Sequence, residues 1–95
     1  MNAAMMNKLK KMKQEMDDAQ QAIEESIFIG KASGVTCEVQ GTKAVISIKI
    51  DPELLDEVEI LQDAICIAIN DAIGQIEAKS NELMGQFNMP GGFGF

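Results

Sequence analysis

The N-terminal part of the chain places its apolar residues with the period of a helix. They recur at spacings of four and three, at Met5, Leu9, Met12, Met16, Ala19 and Ile23. This is a heptad seam over roughly three heptads, and it predicts a helix from about residue 3 to residue 26. The seam is narrow and rich in methionine, which adapts to irregular partners. Two interpretations are open: the seam packs on the protein's own sheet, or it pairs with another helix, for example in a second subunit.

The next segment, VTCEVQGTKAVISIKI, alternates apolar and polar residues and predicts two strands. Gly41 and Thr42 are expected to form a two-residue type II′ turn, because glycine occupies its first central position. The predicted register pairs Val39 with Ala44, Cys37 with Ile46, and Val35 with Ile48, all on one face. SIFIG predicts a preceding short strand, followed by a loop over residues 30–34. The three strands together cover about residues 27–50.

The segment IDPELL returns to a helical pattern. Asp51 is a suitable N-cap, Pro52 suits the first helical position, and Glu53 favours the positive end of the helix dipole. The second helix is therefore predicted from about residue 52 to residue 85. Its middle, AICIAI, is apolar almost all round, so more than one side needs a cover. We expect the sheet on one side and a second copy of the protein on the other.

These elements predict an α+β fold in which a helix, a three-stranded antiparallel sheet and a long helix form one domain over residues 1–86. Residues 87–95, rich in Gly, Pro and Phe, are expected to form a flexible tail. A chain of 95 residues buries a thin core on its own, so self-association is also expected.

Composition argues against catalysis and metal binding. The sequence contains no His or Arg and only two cysteines, Cys37 and Cys66, which we expect to be buried thiols. No phosphate-binding loop is visible. We therefore expect no enzyme activity, no cofactor and no small-molecule substrate. The sequence also lacks a secretory signal and a segment of about 20 apolar residues, so a cytoplasmic location without membrane association is expected.

Charge is distributed unevenly. The chain has 8 lysines and 15 acidic residues, for a net charge of −7. Four of the lysines, Lys8, Lys10, Lys11 and Lys13, lie in the segment KLKKMK, which we call the lysine segment (residues 8–13). The remainder has 4 lysines against 15 acids, a balance of −11. These lysines lie near a helix N-terminus, where they oppose the helix dipole, so helix stability does not account for them.

Three interpretations of the lysine segment are open. It can be a solvated face with weak ion pairs such as Lys11 with Glu15 and Lys13 with Asp17. It can bind phosphates as a set of point charges, without base readout. It can also contact a protein partner or another acidic surface, with the methionine seam as the apolar part of that contact.

Several segments together resemble one family. The Met- and Gln-rich first helix, GKASGVTCEVQG, IDPELL, NDAIGQIE and the terminal MPGGF are similar, in this order, to the YbaB/EbfC family of bacterial nucleoid-associated proteins. The resemblance covers nearly the whole chain, and IDPELL followed by Asn70, Asp71 and Ala72 is its most specific part. The chain departs from the family in having few basic residues in the last strand and second helix, where only Lys43, Lys49 and Lys79 occur.

The resemblance implies a tweezer-like homodimer. In that family the sheets and second helices form the dimer body, and the first helices project as paired arms. It also implies binding to double-stranded DNA in the nucleoid with loose or no sequence preference. Together with the charge pattern, it favours DNA binding by Lys8, Lys10, Lys11 and Lys13 over the other interpretations of the lysine segment. Because the rest of the chain is acidic, we expect the binding to be weak and strongly salt-dependent. The rival hypothesis is a dimeric adaptor that uses its Met-rich helices to bind another protein.

Overall fold

The computed structural model describes residues 3–86, which form two helices and a sheet with a short 3₁₀ helix. In chain order, the elements are α1 (Ala3–Glu25), β1 (Ile27–Ala32), β2 (Val35–Gln40), β3 (Val45–Ile50), the 3₁₀ helix (Pro52–Asp56) and α2 (Val58–Gln86). The predicted α+β fold is confirmed. The expected tail over residues 87–95 lies outside the described residues.

The sheet is antiparallel throughout, with strand order β1-β2-β3. The predicted loop over residues 30–34 is wrong: β1 continues to Ala32, which pairs with Val35, so the turn is only Ser33 and Gly34. Gly34 has a φ of +76°, a conformation that is costly for residues with a side chain. Small residues fill residues 30–34 and predict a longer loop. In the structure, residues 30–32 of this segment belong to strand β1.

The predicted register between β2 and β3 is also wrong. The turn contains three residues, Gly41 to Lys43, because the Gln40 amide donates to the Ala44 carbonyl. Lys43, and not Gly41, has the left-handed φ, at +75°. A bulge between Glu38 and Val39 adds a further shift, so Cys37 pairs with Ile48 and Val35 with Ile50. At these two pairs the observed register differs from the predicted one by two residues. Because side chains alternate between the faces with a period of two, the same apolar residues of β2 and β3 still share one face.

Gly41 has a different role from the one expected of it. A Cβ atom there would overlap the Ile23 carbonyl oxygen at the end of α1, and the Gly41 amide donates to the Ser26 carbonyl over 2.9 Å. Glycine is needed because the hairpin turn packs directly on the helix backbone.

The second helix begins later than predicted. Asp51 does act as an N-cap, accepting a hydrogen bond from the Glu53 amide, but the turn that it caps is the 3₁₀ helix. Glu57, with φ −124° and ψ 71°, separates this turn from α2. The cap residues were thus identified correctly, while the break at Glu57 has no Gly or Pro to mark it in the sequence.

The core lies between the sheet and α2. Its buried members are Val35, Cys37 and Val39 on β2 and Ala64, Ala68, Ala72 and Ile76 on α2. Phe28 and Ala32 on β1 pack against this cluster. Within residues 3–86, β3 contributes nothing to it. Val45, Ile46, Ile48 and Ile50 on β3 are all exposed. Cys66 is also exposed, against the expectation that both thiols are buried, because it lies on the side of α2 away from the core.

The closest contact between layers is at Gly30 on β1. A Cβ atom at this position would overlap the Ala68 carbonyl oxygen and lie 2.9 Å from the Ala72 Cβ. The strand can therefore approach the helix backbone only because residue 30 is glycine and residues 68 and 72 are alanine.

Replacing Gly30 by Ala should destabilise the protein strongly. The added methyl group must separate β1 from α2, at a cost of about 2 kcal/mol or more in the free energy of unfolding, as for other overpacked cores. The measurement is urea denaturation followed by circular dichroism. Gly74→Ala is the matched control, since a Cβ there meets nothing within 4 Å and lies in a helix. It should stabilise the protein by about 0.5–1 kcal/mol. Equal effects of the two changes would contradict the close packing at Gly30.

Candidate nucleic-acid interface

The base of α1 is fixed to the rest of the protein. Ile23 is buried, and together with Ala19 and Ala22 it lines a groove against Phe28 of β1 and Leu83 of α2. The helix ends where the Ser26 hydroxyl donates to the Ala22 carbonyl over 2.6 Å. With the Gly41 turn packed on the same end, the direction in which α1 leaves the sheet is determined by contacts on two sides.

The N-terminal half of α1 projects away from this base. Residues 3–15 are all exposed, and the described part of the chain measures 67 × 25 × 14 Å. The heptad seam is thus divided. Its C-terminal part packs on α2 of the same chain, whereas Leu9 and Met12 remain 51% and 42% exposed. The seam is expected from the sequence either to pack on the chain's own sheet or to pair with another helix. Neither interpretation describes the whole seam, because β1 and α2 of the same chain cover only its C-terminal part.

All four lysines of the lysine segment lie on this projecting half and are exposed. Lys13 forms an ion pair with Asp17, with 3.9 Å between Nζ and the carboxylate oxygen, and both side chains are more than half exposed. Such an exposed pair contributes little to stability. The predicted pair of Lys11 with Glu15 is not formed between these described residues. Between Lys8 and Lys13 the helix axis advances about 7.5 Å, which matches the axial length over which duplex DNA presents about four phosphates.

Acidic residues surround the base of the same helix. Asp17, Glu24 and Glu25 line a polar cleft with Gln40 and Thr42 of the β2–β3 hairpin. No acidic residue lies in the first turn of α1 and no basic residue in its last. The lysine segment thus adds positive charge near the N-terminal end of α1, where the helix dipole is positive. The acidic residues add negative charge near the C-terminal end, where the dipole is negative. An anionic partner would be attracted to the free end of α1 and repelled at its base.

The other four lysines do not form a comparable cluster. Lys43 is paired with Glu77 and Lys79 with Glu82, at 3.5 and 3.8 Å. Lys31 and Lys49 lie on either side of Thr36 in one row across the outer face of the sheet. Sequence reasoning missed this row because the predicted register was wrong. It is a second, smaller cationic surface of two lysines per chain.

The described residues offer little for other chemistry. Among residues 3–86 no group of three or more Cys, Asp or Glu side chains could hold a metal ion. Neither of the long helices in this part of the chain is apolar over a stretch that could cross a bilayer. The arrangement of these described residues supports charge-based contact with an extended anion.

The chain is similar in sequence to known proteins. Residues 1–92 match the sequence model of the YbaB/EbfC DNA-binding family. The Nucleoid-associated protein OB0030 of Oceanobacillus iheyensis is 40% identical over 97 aligned positions, covering 94% of this chain and 93% of that protein. A Nucleoid-associated protein of Legionella pneumophila strain Corby is 39% identical over 85 positions, covering 86% of this chain and 76% of its own.

A solved structure has the same fold. The crystal structure of uncharacterized protein HP0035 from Helicobacter pylori superimposes with a TM-score of 0.72 at 25% identity, covering 94% of this chain and 97% of that one. The similarity extends over almost the full length of both chains, so it includes the projecting helix as well as the sheet.

Neutralising the lysine segment should not destabilise the fold. We expect Lys8, Lys10, Lys11 and Lys13 changed together to Gln to leave the melting temperature unchanged or slightly raised, since each exposed charge opposes the dipole by a few tenths of a kcal/mol. The measurement is thermal unfolding followed by circular dichroism at low salt. Ile23→Ala is the contrasting variant. It should lower the free energy of unfolding by about 2–5 kcal/mol because it leaves a cavity at the base of α1. A large loss on lysine neutralisation would show that the segment is structural.

Proposed function

Since this chain belongs to the YbaB/EbfC DNA-binding family of nucleoid-associated proteins, we propose that it binds double-stranded DNA through the lysine segments of a homodimer, as a component of the nucleoid. The observation that carries the proposal is the isolation of the lysine segment. Four exposed ammonium groups lie on a projecting helix, while the remainder of the chain has a balance of −11. A duplex can approach the free ends of the helices without contacting the acidic body.

The contact is with the phosphate backbone. Lysine presents a point charge and lacks the planar donor fork that arginine uses for bidentate contacts with bases and phosphates. No arginine occurs in the chain to supply such a contact. Binding of this type has loose or no sequence preference, and its affinity depends on the counterions released from the DNA. The acidic body keeps the affinity low.

The homodimer is supported by apolar surface that the single chain leaves exposed. The four apolar residues of β3 are uncovered, and so are Leu55, Val58, Ile60 and Ile67 around the start of α2. Exposed apolar residues in this number are typical of an interface. In a homodimer the two copies of α1 present two lysine segments, which doubles the number of phosphates that one particle can contact.

A second candidate function rests on the exposed part of the seam. Leu9 and Met12 are apolar residues on a projecting helix, a feature that helix-in-groove recognition uses. In this alternative the protein is a dimeric adaptor, its arms bind another protein, and contact with DNA is incidental. Changes to Met12 and Met16 then abolish capture of the partner, and neutralised lysines have little effect.

The DNA proposal is tested by fluorescence anisotropy of a labelled duplex across a salt series. We expect log affinity to fall linearly with log salt, with a slope of about −4 to −7 for four to eight phosphates at roughly −0.9 each. Changing the four lysines of the lysine segment to Gln should abolish binding. The matched control changes Lys31, Lys43, Lys49 and Lys79 to Gln, which gives the same net charge of −11 and should retain most of the affinity.

Each outcome of that experiment decides something. Equal loss in the two quadruple variants would mean that net charge, and not the lysine segment, determines binding. No binding by the unchanged protein at low salt would exclude the DNA proposal and favour the adaptor. In a third variant, Leu9 and Met12 changed to Gln should leave the salt slope unchanged if the seam has no part in DNA contact.

The homodimer is tested by a charge placed on β3. Ile48→Lys should shift the mass measured by light scattering from two chains toward one, because a charge buried at an interface without a partner is costly. Ile29→Lys is the matched control: Ile29 is equally exposed, at 39%, but lies on the outer face of the sheet. If the mass of the Ile48→Lys variant is unchanged, β3 is not part of the homodimer interface.

A further inference from the structure

Two side chains of α2 bind the backbone of the β1 edge. The Lys31 amide donates to the Asp71 carboxylate over 2.9 Å, and the Gln75 amide group donates to the Ile29 carbonyl over 2.7 Å. Ile29 and Lys31 are two residues apart, so their backbone groups point the same way in an antiparallel strand. Asp71 and Gln75 are four residues apart, which places them on one face of the helix.

The Lys31 amide and the Ile29 carbonyl are the backbone groups with which an additional strand would form hydrogen bonds at this edge. β1 is an outer strand of the sheet, with β2 on its other side, so its outward amides and carbonyls are open to pairing with another chain. Asp71 supplies an acceptor where a neighbouring strand would offer a carbonyl, and Gln75 supplies a donor where it would offer an amide. The middle of the β1 edge is therefore occupied from within the chain.

The opposite edge lacks such a cover. Between residues 3 and 86, the structure gives no side-chain hydrogen bond to the backbone of β3, and the apolar residues of that strand are exposed. The two edges of the sheet thus differ in what they offer to a second copy.

We propose that Asp71 and Gln75 close the β1 edge to strand addition, so that a second copy of the chain can pair with this sheet only at β3. A sheet with one open edge forms a closed pair of copies, whereas a sheet with two open edges adds copies without limit. The part of this inference that concerns the pairing partner rests on the proposed homodimer. The closure of β1 does not.

The test opens the β1 edge. In the Asp71→Ala/Gln75→Ala variant we expect the mass measured by light scattering to rise with protein concentration to at least twice that of the unchanged protein. At concentrations where the masses are equal, the Lys31 amide should exchange with deuterium about tenfold faster, the factor that corresponds to loss of one hydrogen bond to a charged group. Gln62→Ala/Asp63→Ala removes the same residue types from exposed positions of the same helix and should change neither quantity.

Conservative and single variants keep the result interpretable. Asp71→Asn retains an acceptor oxygen and should keep the mass of the unchanged protein. If the double variant does not fold, Gln75→Ala alone replaces an exposed residue by a stronger helix former and should still raise the mass.

An unchanged mass in the folded variants would overturn the proposal, whether or not amide exchange accelerates. A monomeric unchanged protein would instead exclude the homodimer, and closure of β1 would then be judged by whether the variant becomes larger than that monomer.

Discussion

The distance between β1 and α2 at Gly30 is the constraint from which the rest of the structure follows. Because the strand touches the helix backbone at Ala68 and Ala72, α2 lies over β1 and β2 and leaves β3 uncovered. The same closeness brings short side chains of the helix within reach of the strand edge, so Asp71 can bind the Lys31 amide. A larger residue at position 30 would lift the helix and lose both consequences. The hydrogen atom that glycine carries in place of a methyl group thus lets α2 lie close enough for Asp71 and Gln75 to reach the β1 edge.

The sequence predicted the fold class because its signals are local. A period of 3.6 or 2 is legible in α1, in β2 and in α2, and Asp51 and Pro52 mark a helical turn without knowledge of their neighbours. What could not be predicted depends on contacts between distant segments. The left-handed φ of Lys43, the bulge at Val39 and the break at Glu57 carry no Gly or Pro signal at those positions. Gly41 illustrates the difference. The sequence indicates correctly that glycine matters at this position, but glycine is required there because the turn packs against the end of α1.

For the candidate site, sequence alone identified the lysine segment and its charge but not its setting. That α1 projects follows from the way Ile23 and Ser26 are fixed at its base, and no local pattern contains this information. The family segments GKASG and NDAIGQIE are likewise far apart in the sequence. The structure brings them together: Gly30 lies against Ala72, and the Lys31 amide donates to Asp71. Gln75 of the second segment binds the carbonyl of Ile29, the residue just before the first segment. These two segments therefore meet at one interface between the strand and helix layers, and the lysine segment lies apart from that interface.

The length of α1 separates the lysine segment from the acidic remainder of the chain. This separation decides how strongly the acids oppose the attraction of the lysines for an anion such as DNA. From Lys8 to Ile23 the helix advances about 22 Å, more than two Debye lengths at roughly 0.1 M salt, so acids beyond the base of α1 are largely screened at the free end. Asp17 and Asp18 lie within about one Debye length of the nearer lysines, and Asp17 already pairs with Lys13. Attraction is therefore strongest at Lys8, Lys10 and Lys11 and weakens toward the base. Lowering the salt lengthens the screening distance and strengthens both the attraction of the lysines and the repulsion by the body. An arm long enough to separate the two makes the attraction dominant at its free end.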